Sequence, residues 1–175
     1  MPKLHEAATG VFFLWKHADA PAGLYPKEER YAGGIRVNIL VVDGQGGRMG
    51  RTLTEEIRKI CPEAIITAVG TNSIATENMR KADCADHYAT GENAVIVACR
   101  KAQLIVGPLG ITMADAMMGE ISPSMANAVA SADAYRILIP MNLCSTYVAG
   151  TVKGSSAILS DAMQYIRRLT EGETP

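Results

Sequence analysis

An open, mostly parallel β-sheet with helices on both faces, a Rossmann-like three-layer α/β domain, is the fold class this sequence predicts. Three observations predict it. Short apolar runs alternate with amphipathic stretches from residue 35 onward. Several of those runs, such as 64–69, are almost wholly apolar, as strands covered on both faces are. The first run leads directly into Asp43-Gly44-Gln45-Gly46-Gly47-Arg48-Met49-Gly50 and then into a helical pattern. Strand, glycine turn and helix start form the arrangement in which backbone N–H groups face an anion.

The elements follow in order. Residues 35–42 read as the first strand. Residues 51–60 read as an amphipathic helix with Leu53, Ile57 and Ile60 on one face, stopped by Pro62. Residues 64–69 are the second strand, 74–82 a helix and 84–88 a short third strand. Residues 94–102 carry β-branched side chains, yet their place between strands suits a crossover helix, and a helix is expected. Residues 103–106 are a strand ended by Gly107-Pro108-Leu109-Gly110. A helix is expected over 112–118. Another starts at a Ser122 cap with Pro123 in its first turn and runs to about Ala130. Residues 135–140 are a strand, 146–152 a last edge strand, and 160–169 a closing helix. Residues 1–34, with Pro2, Pro21, Pro26 and the charged run 27–30, read as an irregular arm preceding a domain over 35–175.

Composition excludes several functions. The net charge of −1 supplies no positive field for nucleic acid. One Trp and two Phe leave few stacking platforms for single strands. Cys61, Cys84, Cys99 and Cys144 form no C-x-x-C pair, and His5, His17 and His87 form no zinc pattern, so no metal site is expected. No apolar run is long enough to span a bilayer. The run 11–15 is short and meets Lys16 and His17, which does not suit a secretory signal, and the cytoplasm is the expected location.

In a parallel α/β sheet the ligand lies beyond the carboxyl ends of the strands, where strand order reverses. The residues just after the strands are therefore the site candidates: Asp43, Gly44, Gln45, Gly46, Gly47 and Arg48; Thr71 and Asn72; Gly107 and Pro108; and the loop 141–145. The glycines depart from the G-x-G-x-x-G register, since Met49 stands where the third would fall. Gly44 suits a tight turn, Gly46 or Gly47 close approach of a phosphate, and Gly50 close helix–strand packing. Each also suits a purely structural turn.

The second strand ends in Gly70-Thr71-Asn72-Ser73, with no acid for a ribose. If a dinucleotide binds, Thr71, Asn72 and Ser73 as donors and Arg48 as a charge favour NADP over NAD. Asn72 or Ser73 serves equally as a helix cap. Asp43 can order the loop or hold magnesium. Glu92, Asn93 and Glu120 can be cleft residues or surface caps. Asn142 and Cys144 follow a buried strand, but no histidine is near Cys144 in sequence to activate a thiolate.

Five stretches in the same order carry a resemblance: 38–47, Gly70-Thr71-Asn72, 90–94, 107–111 and Gly119-Glu120-Ile121. They resemble a family of small bacterial proteins catalogued as a domain of unknown function, over residues 35–152. The resemblance implies a Rossmann-like fold and no established activity or cofactor.

The expected function is binding of a nucleotide or dinucleotide, with NAD(P) the leading cofactor. One alternative is a non-enzymatic sensor or structural subunit, suggested by Met113, Met117, Met118 and Met125. Another is a magnesium-dependent enzyme acting on a phosphorylated metabolite through Asp43, Gly44 to Gly47, Thr71, Asn72 and Glu120. A homo-oligomer, most simply a two-fold dimer, is expected because Phe12, Phe13, Leu14 and Trp15 lack a domain to bury them.

Overall fold

A computed structural model describes residues 30–31, 34–141, 148 and 154–171. Five parallel strands form the sheet: β3 (Asn38–Asp43), β4 (Ile65–Gly70), β5 (His87–Thr90), β6 (Leu104–Pro108) and β7 (Tyr135–Ile139). Their spatial order is β5-β4-β3-β6-β7. The chain thus builds outward from β3 to β5, returns past β3, and builds the other half. The reversal lies between β3 and β6, which pair from Ile39–Leu104 to Val41–Val106.

Alternation along β3 creates two cores. Ile39 and Val41 face one layer, made by α1 (Arg48–Ile60), α2 (Ser73–Arg80) and α6 (Ser155–Thr170), through Leu53, Ile57, Met79, Met163 and Ile166. Leu40 and Val42 face the other, made by α3 (Glu92–Cys99) and α5 (Pro123–Ser131), through Val95, Cys99, Met125 and Val129. Helices therefore cover both faces, as the near-continuous apolar strands require.

Several expected boundaries move for local reasons. The first sheet strand begins at Asn38, not at residue 35: Gly34–Ile35 (β2) pairs antiparallel with Arg30–Tyr31 (β1) instead. The third begins at His87, not at 84. Asp83 takes a left-handed turn at φ 50°, and the Asp86 carboxylate accepts from Ile66 N–H at 2.7 Å, fixing the entry to β5. The β-branched segment is helical, over Glu92–Cys99, because it must cross from β5 back over the sheet to β6. Ser122 caps α5 by accepting from Met125 N–H at 3.1 Å, with Pro123 in the first turn. Apart from Val148, the expected strand 146–152 lies outside the described residues, as do Asn142, Cys144 and residues 1–29 and 32–33 of the arm.

The expected helix over 112–118 does not form as such; only a four-residue kinked turn, α4 (Ala116–Gly119), stands there. Residues Leu109–Thr112 make a single 3-10 turn, and Asp115, Met117 and Met118 take left-handed conformations at φ 61°, 56° and 60°. Left-handed backbone costs a non-glycine residue about 1 kcal/mol or more. Here it folds residues 115–121 back on themselves: Asp115 N–H donates to the Ile121 carbonyl at 2.8 Å, and Ile121 N–H to the Ala116 carbonyl at 3.2 Å. This returns Met117 and Glu120 to the first glycine turn, which a continuous helix would not do.

Candidate functional site

The turn after β3 closes through Gly47 N–H donating to the Gly44 carbonyl at 2.9 Å. Its positive-φ positions are Gln45 and Gly47, not Gly44. Gly47 is the N-cap of α1 at φ 65°, and a Cβ there would strike the Ala75 backbone. Gly44 is a glycine for a different reason: a Cβ would lie 2.6 Å from Met117 Sδ and 2.9 Å from Glu120 Oε2. Gly50 keeps α1 tight on β3, since a Cβ would lie 2.7 Å from Asp43 Cβ. Gly107 lies in buried strand β6, where a Cβ would run into the Val42 carbonyl.

Asp43 is 5% exposed and sits behind the turn. Its Oδ1 accepts from Gly44 N–H at 2.8 Å and its Oδ2 from Gly50 N–H at 2.6 Å. The carboxylate thereby orders the turn and the first turn of α1, with each oxygen accepting from a backbone amide. Burial pushes its carboxyl above the usual range; the amides of Gly50 and Gly44 pull it down without cancelling that shift, and Glu120 adds repulsion.

Glu120 stands in front of the turn. Its Oε2 accepts from Gln45 N–H at 2.7 Å, Thr71 Oγ1 at 2.6 Å and Asn72 Nδ2 at 2.9 Å. Partial burial pushes its carboxyl up, but the donors Thr71, Gln45 and Asn72 outweigh that and hold it below the usual range. Asn72 works at both ends. Its Oδ1 caps α2 by accepting from Ala75 N–H at 2.9 Å, while its Nδ2 also donates to the Gln45 carbonyl at 3.0 Å. Sequence reasoning named Glu120 as ambiguous; nothing in its local sequence shows that it meets Thr71.

A cleft of about 620 Å³ opens where strand order reverses. Residues Asp43 to Met49 line it from the turn after β3, Pro108, Gly110 and residues 113–118 from the loop after β6, and Met141 from beyond β7. Met49, Met113, Met117, Met118 and Met141 thus line it, while Met125 is core. Among the described residues, the amides of Gly46 and Arg48 have no hydrogen-bond partner and the exposed Arg48 side chain has no carboxylate partner. The fold gathers Asp43 to Arg48 and Pro108 around this cleft, sets Thr71 and Asn72 beside it through Glu120, and leaves Gly107 in the sheet. Glu92 and Asn93 are exposed in the first turn of α3, away from the cleft lining.

The family model described as "Domain of unknown function (DUF3842)" matches residues 38–171. The chain belongs to this family. The match begins at the first residue of β3 and ends just past α6, so the sheet, its helices and the cleft all lie within the family's extent. None of the curated proteins matches the chain. Among solved structures it is similar to Vibrio vulnificus Wzb in complex with benzylphosphonate, at 14% identity and a TM-score of 0.36, over 78% of this chain and 96% of that one. Among the described residues, no helix is long and apolar enough to cross a membrane.

Proposed function

We propose that this member of the family binds a nucleotide. Its phosphate is held at the Gly44–Arg48 turn, and the rest of the ligand lies against the methionine-lined wall. The observation that carries this reading is the coincidence of three features at one point. The strand-order reversal, the unpartnered amides of Gly46 and Arg48, and the cleft of about 620 Å³ all meet at the start of α1. Thioether side chains suit an aromatic base, since sulfur packs well at ring edges and the flexible chain adapts to its shape. A dinucleotide of the NAD(P) type is the leading member of this class, because the turn has a cleft on its β6 side and polar groups on its β4 side. Thermal-shift screening against NAD, NADP, ATP, GTP, FAD and S-adenosylmethionine, followed by calorimetry, tests the reading. Absence of binding across that panel removes it.

A magnesium-dependent enzyme acting on a phosphorylated metabolite is the second reading. Glu120, held ionised beside the turn, favours it. Asp43 does not, because both of its oxygens are engaged with Gly44 and Gly50. Phosphatase activity on a substrate panel that is indifferent to Glu120→Gln counts against that site. For the assembly we propose a two-fold homodimer; a monomeric mass by light scattering at micromolar concentration removes it.

A further inference from the structure

When a nucleotide's phosphate sits at the turn after the first strand of such a sheet, its ribose lies toward the exit of the neighbouring strand, where an acid commonly receives the hydroxyls. Here that exit is Gly70-Thr71-Asn72, without an acid. The fold supplies one from elsewhere. Glu120, carried back by the left-handed Asp115, Met117, Met118 and Gly119, places its Oε2 on Thr71, on Asn72 and on the Gln45 amide.

The state of this carboxylate indicates what it receives. Oε2 is saturated by three donors, which fix its position. Oε1 accepts from nothing among the described residues, and no Lys, Arg or His pairs with Glu120 there. A fixed carboxylate with one open oxygen and no cation beside it is an acceptor for hydroxyl or N–H donors and repels a second anion. The donors that the sequence offers to a 2′-phosphate, the Thr71 hydroxyl and the Asn72 amide, are directed at Glu120 instead.

We propose that Glu120 reads the ribose 2′-hydroxyl of a nucleotide held at the Gly44–Arg48 turn and rejects a 2′-phosphate. This rests on the nucleotide reading above, and it reverses the preference for NADP that the second strand's missing acid suggests. Glu120 is thus the specificity residue, contributed by the opposite half of the sheet.

Calorimetric titration of the full chain with 5′-AMP, 2′-deoxy-5′-AMP and adenosine 2′,5′-bisphosphate, and with NAD and NADP, tests it. The wild type is expected to bind 5′-AMP and NAD at least about tenfold more tightly than their 2′-phosphorylated counterparts, and 2′-deoxy-5′-AMP more weakly than 5′-AMP. Glu120→Gln retains an oxygen for the three donors and turns an NH2 outward. It is expected to cut both 2′-phosphate discriminations by about tenfold or more. If Glu120 is only a structural staple, the variant weakens all the ligands alike, or lowers Tm, and leaves the ratios unchanged; that result overturns the inference and spares the nucleotide reading. Tighter binding of the 2′-phosphorylated ligands by the wild type overturns it equally. If none of the five ligands binds, this inference falls, and the nucleotide reading is then decided by ATP, GTP, FAD and S-adenosylmethionine in the wider panel.

Discussion

Glu120 Oε2 lies 2.6 Å from Thr71 Oγ1, joining residues 49 apart in sequence and tying the loop after β6 to the exit of β4. This contact, with its companions to Gln45 and Asn72, anchors the segment in which Asp115, Met117, Met118 and Gly119 take positive φ. It also separates two features that otherwise merge: the glycine turn, open to the cleft on one side, and the strand exit, covered by a carboxylate on the other.

The glycines of the turn separate ligand binding from stability. A Cβ on Gly46 meets nothing within 4 Å and its φ is not positive, so Gly46→Val is expected to fold normally while losing about tenfold or more in nucleotide affinity. Gly47→Ala is expected to lose about 2–4 kcal/mol of stability, from its left-handed backbone and the clash with Ala75. Urea denaturation and calorimetry on both variants check this. A Gly46→Val protein that binds as the wild type does places the phosphate elsewhere.

Asp43 orders the turn through two amides, and an amide side chain cannot accept from both. Asp43→Asn turns an NH2 toward one buried N–H group, at a cost of about 1–3 kcal/mol by chemical denaturation. Unchanged stability would show that the buried carboxyl is not needed as a double acceptor.

The pH dependence of the Glu120 contribution has a definite sign. Its folded pKa lies below the ordinary 4.5, so the charge contributes stability above 4.5 that is lost as pH falls through the lowered folded value. The stability difference between wild type and Glu120→Gln should therefore be full at neutral pH and shrink below 4.5. Asp43 works in the opposite direction: its raised pKa favours the protonated form, so its contribution falls as pH rises from the ordinary 3.8 through the folded value. Urea midpoints across the acid range, measured for both variants, separate the two. A Glu120→Gln difference that grows on acidification contradicts the assignment.

Arg58 pins the far end of the sheet. Its guanidinium donates to the carbonyls of Cys84, Pro62 and Ala64 at 2.9, 2.7 and 2.9 Å, and to Asp86 Oδ2 at 2.7 Å. Arg58→Ala is expected to lose about 2–3 kcal/mol, and Lys should restore little because it lacks the planar fork. Nucleotide affinity should not change, since these groups lie at the amino ends of the strands. Loss of affinity at intact fold would mean that the two ends of the sheet are coupled.

Much of this was legible in the sequence because the signals are local. The alternation of apolar runs and amphipathic stretches determines a parallel α/β sheet, since strands buried on both faces have no other stable arrangement. The glycine turn after the first strand, the Ser122-Pro123 helix start and the cap at Asn72 are likewise set by residues within a few positions of one another. What only the tertiary structure decided is where distant side chains meet. Residues 112–118 carry a helical pattern, yet contacts of Met117 with the Gly44 turn and of Glu120 with Thr71 and Asn72 go with three left-handed non-glycine residues. No local propensity encodes that path, because its cost falls on residues 115–118 while the compensating hydrogen bonds lie on two other loops. The same long-range pairing places an acid at a strand exit whose own sequence has none, which a reading along the chain cannot reveal.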